Sequence, residues 1–301
     1  MSYIKDFEKT YTPDTQKNQT KKGTLYLVGT PIGNLADISE RALKVLSEVD
    51  LIACEDTRNT LRLLTHFGIS RPLVSYHEHN KKERGEQLVA RMLAGESCAL
   101  VSDAGTPAIS DPGEDLVALC AERGVPVTAI PGCCASITAL TLSGLPTGRF
   151  CFEGFLPMDK KARRERLSAL KGETRTLLLH EAPHKLRNTL DELCEALGGT
   201  RRISLCRELT KRNEEILRTT LQGAVEHYAA NEPRGEYVLV IEGGDGCEES
   251  GPSAALALLP PAEHVAYYEK AGMRRMDAIK QAAKDRGMPK NELYRILCEE
   301  K

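Results

Sequence analysis

A chain of 301 residues in which 41% are hydrophobic has enough apolar material for two cores. Its formal net charge of −2 excludes a protein that coats nucleic acid by bulk charge, but not one with a local basic face. Trp is absent and aromatics are only 5%, which excludes base-stacking platforms as the main binding device.

Residues 1–22 are polar, with five Lys against three acids and little periodicity, and predict a disordered arm. From Gly23 the pattern turns α/β. Leu25–Val28 predicts a strand, followed by the glycine-containing loop Gly29-Thr30-Pro31-Ile32-Gly33-Asn34-Leu35. Ile38, Ala42, Val45, Leu46 and Val49 mark one face of a helix. Leu51–Cys54 predicts a second strand and Leu61–His66 a helix. Leu73–Tyr76 predicts a third strand, and residues 81–94 a charged amphipathic helix. Cys98–Val101 is a short apolar run that reads as a buried strand, and Leu116, Val117, Leu119 and Cys120 mark the next helix. Val125–Ile130 and a helix ending near Ser143 complete this unit. The alternation implies a mostly parallel sheet.

The Gly144–Gly148 turn marks a boundary, after which a second α/β unit follows. Cys151–Pro157 reads as a strand and loop, and further strands are expected at Thr176–His180, Ile203–Cys206 and Tyr237–Ile241, with helices over Lys160–Leu170 and up to Leu197. Residues 245–261 read as a linker, and the remainder as two or three short helices. The ten cysteines contain no C-x-x-C and sit mostly in apolar runs. They predict reduced, buried thiols, not zinc or disulfides. His77 and His79 lack a third ligand at convincing spacing, so no metal is expected. No apolar run reaches membrane length and no signal-like leader is seen, which predicts a cytoplasmic protein with no membrane partner.

The loop between the Cys98–Val101 strand and its helix, Ser102–Gly113, is longer than such loops usually are. Ligands of open α/β sheets bind outside the carboxyl ends of the strands. Asp103 stands at that end with no local structural role, and Gly105 lets backbone approach a ligand. Asp111, Pro112 and Glu114 read as N-cap, N1 and N3 of a capping box. Glu55-Asp56-Thr57-Arg58 has two readings: acid, base or orienting groups, or a helix cap with a surface ion pair. Glu181 with His184, Arg207 with Glu208, and Gly235 with Glu236 stand at further strand ends. Together with Asp103 they are expected to line one cleft between two sheets. Lys160–Arg175 holds seven basic residues against two acids, and Lys270–Arg295 eight against three. Such runs are solvated helix faces or contacts to a phosphate backbone.

The motifs G-T-P-I-G-N-L, E-D-T-R, S-D-A-G-T-P-x-I-S-D-P-G, P-G-x-C-A, F-x-G-F-L-P, E-x-P-H-[KR], R-E-L-T-K and G-E-x-V-L-V-I-E-G occur in that order. Over residues 23–243 the chain thereby resembles the bacterial 16S rRNA cytidine 2′-O-methyltransferases of the tetrapyrrole methylase superfamily. The resemblance implies two α/β domains of the class III S-adenosylmethionine (SAM) methyltransferase type, at 23–144 and 145–246. A linker and small helical RNA-contacting tail follow at 247–301. It implies SAM in the cleft, held by Ile32, by Asp103, Ala104, Gly105, Thr106 and Pro107, by Cys133, Cys134 and Ala135, and by strand ends of the second domain. It also implies a homodimer acting on a cytidine in the decoding region, in naked 16S rRNA or the assembled small ribosomal subunit. Glu55, Asp56, Arg58, Glu181 and Glu208 are the candidates for handling the hydroxyl proton, and the resemblance does not choose among them. Rival readings are a same-fold methylase acting on a small molecule such as a corrinoid precursor, and a non-catalytic RNA-binding module.

Overall fold

The computed structural model describes residues 19–244, Leu256 and residues 259–299. The arm expected over 1–22 and the linker expected over 245–261 therefore lie largely outside the described residues.

Five strands form the first sheet: β1 (Leu25–Val28), β2 (Leu51–Cys54), β3 (Leu73–Ser75), β4 (Cys98–Val101) and β5 (Val127–Ile130). They run parallel in the order β3-β2-β4-β1-β5. Every residue of β2 and β4 is buried, which explains why these strands are continuous apolar runs without alternation. Successive side chains enter opposite cores. Leu25, Leu51 and Leu100 join Leu88, Met92 and Leu116 on one face. Tyr26, Val28 and Ile52 join Ala42, Leu46 and Leu64 on the other. The helices supplying those residues are α1 (Glu40–Glu48), α2 (Thr57–His66), α3 (Lys81–Leu93) and α4 (Glu114–Arg123). Each fully buried leucine contributes about 1.5–3 kcal/mol. Ser39 caps α1 by accepting a hydrogen bond from the Ala42 N–H, and Asp56 caps α2 through the Arg58 N–H.

Two loops leave the carboxyl ends of adjacent strands β1 and β4 and are tied together. Thr30 N–H donates to the Gly105 carbonyl at 2.9 Å, and Gly105 N–H returns to Thr30 at 3.1 Å. The loop after β5 presses on the same place. A Cβ on Gly29 would stand 2.8 Å from the Gly132 Cα, and one on Gly132 would stand 2.8 Å from the Gly29 carbonyl oxygen. Two backbones touch here without room for a side chain.

The second sheet contains β6 (Phe150–Gly154), β7 (Thr176–Glu181), β8 (Arg202–Arg207), β9 (Glu215–Thr220) and β10 (Tyr237–Ile241), in the order β6-β7-β10-β8-β9. Only β6 and β7 are parallel; the other pairs are antiparallel. Helix α5 (Ala135–Ser143) precedes the Gly144 turn but packs on this sheet, with Ala139 and Leu140 against Leu178, Cys206 and Val240. Helices α6 (Lys160–Leu170), α7 (Pro183–Leu197) and α8 (Leu221–Ala230) complete the segment. Strand β9 and helix α8 are additions to what the sequence predicts. At the β9 edge Arg207 faces Glu215 across the ladder, and their side chains pair at 2.6 Å.

The described residues divide into two compact units, one within 19–168 and 175–242, the other within 169–174, 243–244, Leu256 and 259–299. The first holds both sheets. Within the second, α9 (Pro261–Lys270), α10 (Arg275–Asp285) and α11 (Lys290–Glu299) bury Val265, Ile279, Ala283, Leu293 and Leu297 against one another. Met276, on the same helix as Ile279, is 51% exposed. Among the described cysteines, Cys54, Cys98, Cys120 and Cys206 are buried and Cys298 is exposed.

Candidate functional site

A cavity of about 480 Å³ opens where the β4 loop, the start of α5 and the ends of β7, β8 and β10 meet. Ile32, Asp103, Ala104, Gly105, Thr106, Cys134 and Ala135 stand on its wall. Pro107 and Cys133 do not. The Cys133 carbonyl instead accepts a hydrogen bond from Thr106 Oγ1 at 2.9 Å and so fixes the wall from behind. Gly105 has φ +82°, and a Cβ there would lie 3.2 Å from Ile32 Cγ2. Bare backbone is therefore what faces the cavity.

The strand-end residues converge in part: His184, Arg207 and Gly235 are not on this wall. Glu181, Glu208 and Glu236 share this wall with Asp103. Glu181 is 5% exposed; its Oε1 accepts from the Ala182 N–H and its Oε2 from Thr189 Oγ1 at 2.5 Å. Glu208 sits at φ +52° and accepts from Lys211 Nζ at 2.9 Å and from the Glu236 N–H at 3.0 Å. Burial raises its proton affinity, but those two donors outweigh it and hold the carboxyl below its ordinary range.

Glu55, Asp56 and Arg58 are not on this wall, yet they are coupled to it. Asp103 Oδ1 accepts from the Asp56 N–H at 3.1 Å, and Oδ2 accepts from Asn59 Nδ2 at 3.2 Å. The Asp103 carboxylate thus fastens the start of α2, which corrects the expectation that it has no structural role. Asp56 caps α2 and pairs with Arg58 through two guanidinium bonds, at 3.2 and 2.9 Å. The bond from the Arg58 side chain is the main cause of its pKa of about 2. Burial, and then the Asp103 charge, push Glu55 upward.

A second correction concerns Asp111. Helix α4 begins at Glu114 with Gly113 at its N-cap, and no side chain caps it. Ala108 and Ser110 both adopt left-handed φ values, +66° and +63°, so the loop twists before the helix starts. Asp111 is thereby placed on the cavity wall instead of at the cap. Burial is the largest cause of its raised pKa. Glu55 and Asp103 add to it, Ser102 opposes it, and the value is about 6.

The raised value has a stability consequence. The native state holds a proton on Asp111 more tightly than the unfolded chain does. Its contribution is therefore complete below about pH 4 and is lost as pH rises through about 6. Asp111→Asn removes the charge, so the variant is expected to be more stable than the parent by about 1 kcal/mol at pH 8, after allowing for solvent screening. The two should be equal near pH 4. Urea midpoints at both values check this; a difference that does not change with pH would show that Asp111 titrates normally.

His180 and Ser136 also line the cavity and were not singled out in the sequence. They approach to 2.8 Å between Nε2 and Oγ. Burial lowers the His180 pKa and favours the neutral ring, which packs edge-on against Phe152 and Phe155. The available signal was a polar residue closing the apolar run Leu177–Leu179. Among the described residues, no group of three or more His, Cys, Asp or Glu is arranged to hold a metal ion. No described helix is long and apolar enough to cross a membrane.

The family model described as Tetrapyrrole (Corrin/Porphyrin) Methylases matches residues 24–225. Ribosomal RNA small subunit methyltransferase I of Halalkalibacterium halodurans is 48% identical over 289 residues, 96% of this chain and 99% of the relative. The protein of the same name from Escherichia coli O157:H7 is 45% identical over 287 residues, 95% of this chain and 98% of its own. Among solved structures, diphthine synthase superposes with a TM-score of 0.56 at 19% identity, over 73% of this chain and 90% of that one. A uroporphyrin-III C-methyltransferase from Thermus thermophilus, in complex with S-adenyl homocysteine, gives 0.50 at 20% identity, over 73% and 97%. At such identities the likeness carries the fold alone. The match over two thirds of the chain and the relatives at 45–48% identity settle the family: the chain belongs to the tetrapyrrole methylases, among the ribosomal RNA small subunit methyltransferase I proteins.

Proposed function

We propose that this protein, as a homodimer, methylates the ribose 2′-hydroxyl of a cytidine in the decoding region of 16S rRNA, with SAM as methyl donor. Methylation of small-subunit rRNA from SAM rests on family membership. The position on the ribose and the nucleotide rest on the ordered motifs from Gly29 to Gly243. The observation that carries the cofactor assignment is the cavity that joins the Asp103 loop to the strand ends of the second sheet.

The cavity fits SAM. Its volume lies in the range of small-molecule sites. Ile32, Ala135, Leu209 and Val238 give apolar walls, while Asp103, Glu208 and Glu236 bring carboxylates to a ligand that carries positive charge. Gly105 leaves its backbone open to close approach. When bound, SAM supplies an electrophilic methyl group. The residues then have to hold donor and hydroxyl in line, about 3 Å apart, and exclude water.

A ribose hydroxyl is a weak acid, so a carboxylate of raised proton affinity helps. Asp111, on the cavity wall, meets that requirement; Glu55 has the raised affinity but stands off the wall behind Asp103, and Asp56 in its Arg58 pair lacks it. Glu181 and Glu208 already accept the bonds described above and serve to shape the wall. The helical tail, with its basic excess, adds phosphate contacts whose strength falls with salt.

Labelled methyl transfer to unmethylated small subunits tests the reading. One alkali-resistant linkage is expected, because a 2′-O-methyl group removes the hydroxyl that attacks the chain. Label on a base, or on no RNA, would refute it. In the same assay Asp111→Asn should slow transfer, and removal of residues 262–301 should flatten the salt dependence of RNA binding. Parental behaviour in either variant would remove that residue or segment from the mechanism.

A further inference from the structure

Asp103 belongs to two cavities. The second, of about 400 Å³, is bounded by the β1 loop, by Ser102 and by one face of α2. Pro31, Leu35 and Leu63 give it an apolar slot, and Asn59, Arg62 and His66 give it a polar, cationic side. We propose that this cavity receives the target nucleotide of the RNA, with the ribose at Asp103 and the flanking phosphates along α2. The proposal rests on the reading that small-subunit rRNA is the substrate.

Three observations support it. First, donor and acceptor must meet across a shared boundary, and Asp103 is common to both cavities. Second, Arg58, Arg62 and His66 recur every four residues, which places them on one face of α2 over about 12 Å. All three are exposed, and Arg58 is 84% exposed although it pairs with Asp56. A polar stripe carrying two guanidiniums beside an apolar slot suits a nucleotide within a chain: the slot takes a base or sugar face, and the guanidiniums take phosphates. Third, Asn59 donates one N–H to Asp103 Oδ2. A carboxamide has a further N–H and an oxygen with which to read a base edge or a hydroxyl.

This cavity is distinct from the long basic runs at Lys160–Arg175 and in the tail. A phosphate contact in such a run reads no particular nucleotide, whereas this cavity fixes which ribose reaches the methyl donor.

The test is steady-state methyl transfer to unmethylated small subunits by the full chain, with SAM affinity measured separately. Arg62→Glu is expected to raise the KM for subunits about tenfold. Leu35→Trp, which fills the slot, should lower kcat/KM by a similar factor. Neither should alter SAM affinity. Lys82→Glu, on the exposed side of α3 and outside the cavity, controls for general charge. A KM for Arg62→Glu within twofold of the parent, or no worse than that of Lys82→Glu, would overturn the proposal while leaving the function in place. If the parent transfers no methyl group to small subunits, the functional reading fails and the nucleotide cavity with it.

Discussion

Asp103→Ala is expected to weaken SAM binding by about 1–3 kcal/mol, or roughly 5- to 150-fold in Kd, as measured by calorimetry on the folded variant. Two losses combine. The cavity wall loses a carboxylate that would bond a charged ligand. The Asp56 N–H and Asn59 Nδ2 also lose their shared acceptor, so the start of α2 is no longer fastened to the β4 loop. Asp103→Asn separates the two, since it keeps the shape and one acceptor oxygen but removes the charge. It should fall between parent and alanine variant. Unchanged SAM affinity in a folded Asp103→Ala protein would remove this residue from the cofactor site.

The other large effect concerns stability. Gly132→Ala should destabilise the protein by about 1–3 kcal/mol, the usual cost of adding a methyl group where none fits. The new Cβ would meet the Gly29 carbonyl oxygen at 2.8 Å and the Gly29 Cα at 2.9 Å. Those are backbone atoms and cannot rotate away. Gly29 itself is held by its N–H bond to Ile130, and its neighbour Thr30 by the bridge to Gly105. Whatever strain the methyl group causes therefore passes into the loop that lines the cavity, and SAM affinity should fall with stability. Gly172→Ala is the control, because a Cβ there meets nothing within 4 Å. Equal urea midpoints for the two variants would contradict the close-approach account.

How much of this was legible depends on what each residue reports. Strands β2 and β4 could be read because burial on both faces requires unbroken apolar runs, Leu51–Cys54 and Cys98–Val101. Strand β9 could not: Glu-Ile-Leu-Arg-Thr-Thr is a half-exposed edge strand with charged and polar side chains, so it lacks the unbroken apolar run that marks a buried strand. That Glu181, Glu208 and Glu236 lie together was legible because those strand ends share one edge of the second sheet; that this edge meets Asp103 of the first sheet is tertiary packing. Asp111 was misread for a physical reason. Asp-Pro-Gly-Glu satisfies the local chemistry of a helix start, but Ala108 and Ser110 take left-handed φ values that neither residue type signals. The partners of Asp103 were hidden in the same way, since Asp56 and Asn59 are more than forty residues away.

The place of β10 in the second sheet bears on how the chain is made. It is the last strand of that sheet to be synthesised, yet it sits in the middle, between β7 and β8. The first sheet has all its strands once Ile130 has left the ribosome. From then until Ile241 emerges, β6–β7 and β8–β9 can exist only as two separate ribbons, each with an open edge where β10 will insert. Both ribbons are complete once Thr220 has emerged, and at the usual pace of translation the rest of β10 follows about 1–4 s later. A nascent chain in this state displays a finished sheet beside two unpaired edges, the condition in which chaperones bind and neighbouring chains cross-pair. An early stop between Thr220 and Tyr237 would make that state permanent.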